Sequence, residues 1–257
     1  MRRTRIIAVA NQKGGVGKTT TVINLGACLA VHDLEVLLVD VDPQANATSG
    51  LGVVPVTGGE AGIYTLLSSS GEPSLDEFVL PTEMEGLWLV PGSRDLAGLE
   101  IELASAPERE FFLARGLTPT RGRFDYVLID CPPSLGLLTL NALVAADEVL
   151  LPLQSEYYAL EGLSHLLDTI RKVRNLWNPG LGIHGILLTM YDRRLNLSRE
   201  VADDAEAHLG ELLYRTRIPR NVRLSEAPSY GKPVLLYAVD SSGAASYLDL
   251  AREVMTR

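Results

Sequence analysis

Short continuous runs of Val, Ile, Leu and Ala alternate along this chain with longer segments in which apolar residues recur at helical spacing. Continuous apolar runs are typical of strands in a parallel sheet, because both faces of each strand are then covered. Strands are predicted at 5–10, 35–40, 87–90, 124–130, 147–152, 182–189 and 212–217. Helices are predicted at 18–32, 100–115, 136–146, 157–176, 198–209 and 241–255.

This alternation predicts the fold class α/β, with a mostly parallel twisted sheet and helices on both of its faces. Two polar segments, 58–60 and 68–74, are predicted to be surface loops, and neither is suited to link separate domains. We therefore expect a single domain over 1–257. Ligands of such sheets bind at the carboxyl ends of the strands, so polar residues at those ends are the first candidates for chemistry.

A glycine-rich segment follows the first predicted strand and opens the first predicted helix. It reads Lys13-Gly14-Gly15-Val16-Gly17-Lys18-Thr19-Thr20 and has the Gly-Lys-Thr ending of a phosphate-binding loop. Strand, glycine loop and helix in this order are the context that the motif needs. The segment predicts binding of a nucleoside triphosphate, whose phosphates would lie among backbone N–H groups at the positive end of the helix.

Three residues of this loop have separate expected roles. Lys18 should reach the β- and γ-phosphates, and the Thr19 hydroxyl should bind Mg²⁺ directly beside phosphate oxygens. Lys13 is the unusual residue, because a general loop of this type does not require a cation at its start.

Three aspartates that follow predicted strands are candidates for chemistry next to the phosphates. Asp40 is expected to hold Mg²⁺ through water. Asp42 is expected to position the water that attacks the γ-phosphate, although Asp42 followed by Pro43 is also a common way to begin a turn. Asp130 ends another apolar strand, as the aspartate of a Walker B strand does, and is a second candidate for Mg²⁺ through water.

Charge is distributed unevenly along the chain. The net charge of −9 argues against the uniformly basic surface of a dedicated nucleic-acid module, so any DNA contact must be local. Within 215–232, Glu226 is the single acidic residue. The basic residues there are Arg215, Arg217, Arg220, Arg223 and Lys232.

Cysteine and histidine usage offers no metal or disulfide chemistry. Cys28 and Cys131 have neither a disulfide framework nor a zinc-ligand spacing, and both are interpreted as buried small residues. The four histidines have no partner at i, i+4 and are interpreted as structural. No apolar run approaches the ~20 residues of a membrane span, and no apolar leader precedes the first strand. We expect a cytoplasmic protein without a membrane partner.

These motifs together closely resemble the ParA family, in particular the Soj-type chromosome-partitioning ATPases. The resemblance rests on the deviant Walker A signature that begins at Lys13 and on the strands that end at Asp40 and Asp130. It also rests on the segments 134–139, 156–162 and 219–228, and it runs from about residue 5 to 253.

The resemblance implies an ATPase with ATP and Mg²⁺ as cofactors, whose ATP-bound subunits form a face-to-face homodimer. In that family Lys13 would contact the partner's phosphates, so Lys13, Lys18 and Asp42 are the expected catalytic residues. The nucleotide base would lie against Pro219, Arg220 and Asn221, with Met190 beside them.

The resemblance further implies non-specific DNA binding by the dimer, and therefore nucleoid association. Arg194 and Arg223 match arginines that the family uses on DNA phosphates, with Arg193 and Arg220 as additional candidates. A ParB-type centromere-binding protein is the implied partner that accelerates hydrolysis.

Other ATPase classes share the loop. A MinD-like cell-division-site ATPase would need a basic amphipathic C-terminal helix for lipid, whereas 247–257 mixes acidic residues into a helix that we expect to pack on the protein. A nitrogenase-iron-protein-like ATPase would bridge a [4Fe–4S] cluster between subunits through cysteines, which the mid-helix position of Cys28 disfavours. A metabolic kinase or synthetase would need a pocket for a small-molecule acceptor.

Overall fold

The computed structural model describes residues 4–55, 62–68, 75–156 and 159–257. The predicted loop at 58–60 lies outside these residues, as does that at 68–74 apart from Ser68, which ends a helix. The strands are β1 (Arg5–Val9), β2 (Val36–Asp40), β3 (Leu80–Pro81), β4 (Leu87–Val90), β5 (Tyr126–Asp130), β6 (Glu148–Gln154) and β7 (Gly182–Thr189).

The strands described form one sheet in the order β3-β4-β2-β5-β1-β6-β7. Every neighbouring pair is parallel except β3 and β4. The predicted fold class is therefore confirmed. β1, which leads into the glycine-rich loop, lies between β5 and β6, so the loop emerges near the middle of the sheet.

The α-helices of the described residues include six short segments of four to seven residues that connect longer elements. They are α1 (Lys18–Ala30), α2 (Asn46–Gly50), α3 (Ile63–Ser68), α4 (Leu96–Glu102), α5 (Phe112–Leu117), α6 (Leu137–Ala145), α7 (Ala159–Leu176), α8 (Asn196–Leu209), α9 (Val222–Glu226), α10 (Val234–Tyr237) and α11 (Ser242–Thr256). The sequence pattern predicted α1, α6, α7, α8 and α11 to within about two residues, and it predicted none of α2, α3, α9 and α10.

Two apolar cores cover the two faces of the sheet. Side chains alternate between the faces along β1, so Ile6 and Ala8 belong to one core and Ile7 and Val9 to the other. Helices α5 to α8 contribute to the first core, and α1 and α11 contribute to the second. Both faces of β1 are thus held by packed helices, which gives the loop that follows it a rigid base.

The helix predicted at 100–115 is wrong as a continuous element. The chain instead forms α4, which ends at Glu102, then irregular turns, a 3-10 turn at Arg109–Phe111, and α5. Pro107 explains the break, because proline disfavours the helical conformation of the residue before it and has no N–H to donate. Glu108, the next residue, has a left-handed conformation with φ 52°.

The strand predicted at 212–217 is also wrong. This segment runs beside β7 but makes only an isolated bridge, between Leu213 and Ile186. The backbone N–H groups of Arg215 and Thr216 donate to the carboxylate of Glu253 at 2.9 and 3.0 Å, so a side chain takes the place of a ladder partner.

The C-terminal helix α11 packs against α1, in agreement with the prediction that this helix packs on the protein. Its apolar side chains Leu250 and Val254 are buried in the second core, and the hydroxyl of Tyr247 lies 3.2 Å from that of Thr21 on α1. None of the described helices has both the length and the apolar character of a membrane span.

Candidate nucleotide-binding site

The glycine-rich loop joins β1 to α1 through two left-handed residues. Gly15 has φ 75° and Gly17, the residue before α1, has φ 89°. A β-carbon on Gly15 would meet no atom within 4 Å, so the backbone conformation is what requires glycine there. The general phosphate-loop pattern would place its first glycine at position 12, where this chain has Gln12, so the loop departs from that pattern at its start.

Polar residues at the carboxyl ends of β7 and β1 anchor the loop. The Thr189 hydroxyl, at the end of β7, donates to the Val16 carbonyl at 2.8 Å. The Asn11 side chain accepts from the Lys13 N–H at 2.9 Å and donates to the Pro152 carbonyl at 2.7 Å. Sequence reasoning missed both anchors, although their position after apolar strands was a usable signal.

The two lysines of the loop have different environments. Lys18 is 6% exposed, and its Nζ donates to the Lys13 carbonyl at 3.2 Å. Burial lowers the pKa of Lys18, and the negative charges of Asp130 and Asp42 oppose that change. The Lys13 side chain is half exposed, and its Nζ lies 2.5 Å from Oε2 of Glu156. Lys18 therefore points into its own loop, whereas Lys13 lies outside it.

The carboxylate of Asp130 is buried at the end of β5. Both of its oxygens are buried, and among the described residues neither accepts a hydrogen bond. Burial, followed by the nearby charge of Asp40, raises the pKa of Asp130 well above its usual range, while the positive charge of Lys18 opposes the rise. A hydrated Mg²⁺ would supply both the donors and the positive charge, so this environment fits the ion.

The described residues contain no group of three or more His, Cys, Asp or Glu side chains that could hold a metal. An ion next to Asp130 would be close to the Thr19 hydroxyl and accessible to water and phosphate oxygens. These oxygens are the ligand set expected for Mg²⁺ in nucleotide sites.

Asp40 differs from Asp130, because both of its carboxylate oxygens accept hydrogen bonds from the protein. Oδ2 accepts from the N–H and the hydroxyl of Thr48 at 2.9 and 2.7 Å, and Oδ1 accepts from the Asp42 N–H at 3.2 Å. Burial raises the pKa of Asp40, and these hydrogen bonds oppose the rise. Asp40 is thus bonded within the protein at both oxygens.

Asp42 follows β2 and is 6% exposed. Its Oδ1 accepts from the Gln44 N–H at 2.9 Å, which is the turn expected of an Asp-Pro sequence. Its charge also acts on Lys18 and Asp130. Asp42 is therefore both a turn residue and a neighbour of the loop lysine.

A cavity of about 550 Å³ adjoins the glycine-rich loop. It is lined by Gly17 and Thr20 of the loop region and by Met190, Pro219, Arg220 and Asn221, the four residues expected at the base. Leu224, Pro228 and Tyr247, which sequence reasoning did not select, also line it.

Two backbone hydrogen bonds bring the distant parts of this cavity together. The Tyr191 N–H donates to the Ile218 carbonyl at 3.0 Å, and the Arg220 N–H donates to the Tyr191 carbonyl at 3.2 Å. The Asn221 side chain accepts from the Arg223 N–H and donates to the Ser242 hydroxyl, both at 2.8 Å. The side chain of Asn221 therefore caps α9. Its backbone is the part that remains for contact with a ligand.

The arginines expected on DNA are exposed, and two of them are paired. Arg194 makes a two-point contact with Asp192, with distances of 2.9 Å from Nε and 2.7 Å from Nη2, and these hydrogen bonds lower the pKa of Asp192 to about 2. Arg223 lies 2.8 Å from Glu226. The other two candidates, Arg193 and Arg220, are exposed and have no ion-pair partner in the part of the chain that the structure describes.

Both cysteines are buried side chains of the core. Burial raises the pKa of Cys28 to about 12 and also raises the pKa of Cys131. A cluster shared between two subunits needs thiolates at a surface. The placement of these thiols therefore disfavours the nitrogenase-iron-protein-like alternative.

Similarity to known proteins agrees with this geometry. A family model described as "AAA domain" matches residues 4–183. Sporulation initiation inhibitor protein Soj of Bacillus subtilis is 53% identical over 250 residues, which cover 97% of this chain and 98% of Soj. Chromosome-partitioning ATPase Soj of Thermus thermophilus is 52% identical over 257 residues, which cover 99% of this chain and 97% of that protein.

A solved structure with the same fold carries a nucleotide. Cobyrinic acid a,c-diamide synthase from Mycobacterium smegmatis, with a bound ATP analogue and magnesium, has a TM-score of 0.83 and 41% identity, and covers 98% of this chain and 94% of its own. The partitioning proteins have the higher identity, at 52–53% along nearly the whole chain. This chain is accordingly an ATPase that belongs to the Soj/ParA family of chromosome-partitioning proteins.

Proposed function

We propose that this chain is a partitioning ATPase in which bound ATP and Mg²⁺ join two subunits into a dimer that binds DNA without sequence preference. The observation that carries the proposal is the contrast between the two loop lysines. Lys18 is buried against its own loop, whereas Lys13 is held outside it at Glu156. A cation in that position is available to a second subunit.

Within one subunit, the residues of the site divide the work. Lys18 contacts the β- and γ-phosphates, Thr19 binds Mg²⁺ directly, and Asp130 accepts hydrogen bonds from water on the ion. Mg²⁺ would neutralise charge on the phosphates. Asp42 orients the attacking water, and Met190 with Pro219, Arg220 and Asn221 surrounds the base. The continuity of the cavity with Gly17 and Thr20 supports this arrangement.

Between subunits, Lys13 completes the charge stabilisation of the partner's phosphates. A cation supplied in this way acts only when the second subunit arrives, as an arginine finger does. ATP occupancy therefore controls dimerisation, and hydrolysis returns the subunits to monomers.

Dimerisation also explains how an acidic chain binds DNA. Two-fold symmetry duplicates Arg194 and Arg223, together with Arg193 and Arg220, and DNA phosphates would replace Asp192 as the partner of Arg194 and Glu226 as the partner of Arg223. A ParB-type protein accelerates hydrolysis and so releases the dimer from DNA. These properties assign the protein to the nucleoid in the cytoplasm. The apolar face of α11 is buried against α1, so this helix does not present a lipid-binding face and a MinD-like role is not favoured.

Light scattering of the Asp42→Ala variant tests the dimer switch, because slow hydrolysis would let the ATP state persist. We expect a dimer mass with ATP and Mg²⁺ and a monomer mass with ADP. Adding Lys13→Ala should leave ATP bound to monomers, whereas adding Lys18→Ala should abolish nucleotide binding. A monomer in saturating ATP, or equal loss of ATP binding in both lysine variants, contradicts the proposal.

A further inference from the structure

We propose that Thr48 and Gly92 are positioning residues for ATP hydrolysis, which act with Asp40 to hold the segment that carries Asp42. The proposal rests on the proposed function, in which Asp42 orients the attacking water. It assigns Asp40 to this network in place of the Mg²⁺ role expected from its position after a strand.

A continuous chain of hydrogen bonds carries the proposal. The Gly92 N–H, just beyond β4, donates to the Thr48 hydroxyl at 2.8 Å. That hydroxyl donates to Oδ2 of Asp40 at 2.7 Å, and the Thr48 N–H donates to the same oxygen at 2.9 Å. Oδ1 of Asp40 accepts from the Asp42 N–H at 3.2 Å. The network thus joins β4, α2 and β2 to the backbone of Asp42.

The direction of each bond in this network is fixed. A backbone N–H can only donate, so the Thr48 hydroxyl must accept from Gly92 and direct its single proton to Asp40. Asp40 and Thr48 are both fully buried, so water does not compete for these groups. A buried network with all partners satisfied rigidifies the segment that it joins.

The segment between Asp42 and Thr48 has a conformation that needs such support. Ala45 is buried and left-handed, with φ 50° and ψ 40°, which is unfavourable for a residue with a side chain. Ala45 is also the residue before α2, and its N–H donates to the Asp42 carbonyl at 2.8 Å. The hydrogen bonds of Thr48 and Asp40 lie on either side of this turn and hold it closed.

Close packing gives an independent reason for glycine at position 92. A β-carbon there would lie 2.9 Å from Cγ and 3.0 Å from Oδ2 of Asp40, and 3.2 Å from Cβ of Ala45. Any side chain at this position would therefore push on the Asp40 carboxylate. The same backbone also supplies the N–H that fixes Thr48.

The two buried aspartates therefore serve different partners. The oxygens of Asp130 have no donor among the described residues, whereas those of Asp40 receive three hydrogen bonds. Asp130 would therefore accept hydrogen bonds from water on the Mg²⁺ ion, whereas Asp40 accepts a hydrogen bond from the backbone of Asp42.

Thr48→Val, compared with Thr48→Ser, tests the proposal, because valine keeps the shape of threonine and removes the hydroxyl. With Asp42 loosened, kcat should fall roughly 10- to 100-fold while the affinity for ATP stays within about threefold, since a small misplacement near the reacting atoms affects rate more than binding. Thr48→Ser should restore kcat. In the nucleotide-free protein, hydrogen exchange at the Gly92 amide should be faster in Thr48→Val than in Thr48→Ser.

Three outcomes overturn the proposal: an unchanged kcat in Thr48→Val, a loss of ATP affinity equal to the loss of kcat, or failure of Thr48→Ser to restore kcat. Asp40→Asn gives a second test, because a Mg²⁺ role would raise the Mg²⁺ concentration for half-maximal activity, whereas the positioning role leaves it unchanged. The Asp42→Ala variant distinguishes failure of the proposed function from failure of this inference. If Asp42→Ala hydrolyses ATP normally, the proposed role of Asp42 fails; if it is inactive while Thr48→Val is fully active, only this inference fails.

Discussion

Nζ of Lys13 lies 2.5 Å from Oε2 of Glu156, and both side chains are about half exposed. Glu156 is itself oriented by Gln154, whose Nε2 donates to Oε1 at 2.6 Å. An exposed pair of this kind contributes at most about 1 kcal/mol, so it holds the lysine only until a stronger anion is available. In our proposal, that anion is the triphosphate of the partner subunit.

Glu156→Gln should therefore strengthen the ATP-dependent dimer. Loss of about 1 kcal/mol of competing interaction corresponds to a dissociation constant about fivefold lower for each pair. Sedimentation of the Asp42→Ala variant with ATP, with and without Glu156→Gln, measures the change. Asp168→Asn is a matched control, since it removes an exposed partner of Arg171 on α7. A weaker dimer in Glu156→Gln would mean that Glu156 contributes to the interface instead.

Gly14→Val tests the interface by steric means. A β-carbon on Gly14 would have Cβ of Pro133 as its nearest neighbour, at 3.9 Å, so its own subunit has room for a side chain. The monomer should bind ATP normally, whereas close approach of a partner to the loop should be blocked. Fluorescent-nucleotide binding and light scattering together check both parts. Wild-type dimerisation in this variant would place the interface away from Gly14.

The stability of the fold should carry a pH dependence from His184. This residue is buried beside Tyr214, whose hydroxyl is hydrogen-bonded to Nδ1, and burial lowers the pKa of His184 to about 4. The unfolded chain binds a proton below about pH 6.5, whereas the folded protein does not until about pH 4. His184 therefore destabilises the fold as pH falls through this range, by up to about 3 kcal/mol, and has no effect above pH 7.

Urea unfolding of the parent and of His184→Gln at pH 7 and pH 5 isolates this contribution. The difference between the two proteins is the informative quantity, because Asp40, whose pKa is raised, changes stability in the opposite sense over the same range. We expect the free energy of unfolding to fall more steeply in the parent. Parallel profiles would show that His184 titrates normally in the folded protein.

The sequence predicted those parts of the site whose structure is determined by residues close together along the chain. The strand, loop and helix around Lys18 follow from local pattern alone, as do the aspartates that end β2 and β5. Pro107 was a local signal for the break within the helix predicted at 100–115. By contrast, Thr48 and Gly92 meet only because β2 and β4 are adjacent, a pairing that no local pattern specifies. Residues 219–221, expected at the nucleotide base, were likewise predicted from the family resemblance, because no local pattern identifies them.

The arginines should contribute to DNA affinity through phosphates rather than bases. Arg194→Ala and Arg223→Ala should each make the dependence of log affinity on log salt shallower, since the slope is about −0.9 per neutralised phosphate. Both variants should still dimerise with ATP. Arg171→Ala is a matched control, because Arg171 and Arg223 are both in ion pairs with an i, i+3 carboxylate. Unchanged affinity in both variants at several salt concentrations would move the surface to Arg193, Arg199, Arg215 and Arg217.

The central claim is that ATP makes an acidic ATPase into a DNA-binding dimer. Its most direct test is a titration of the Asp42→Ala protein against two DNA duplexes of unrelated sequence, with ATP and Mg²⁺, with ADP and Mg²⁺, and without nucleotide. We predict similar binding to both duplexes with ATP and no binding in the other two conditions. Equal binding in all three conditions, or no binding with ATP, would contradict the claim.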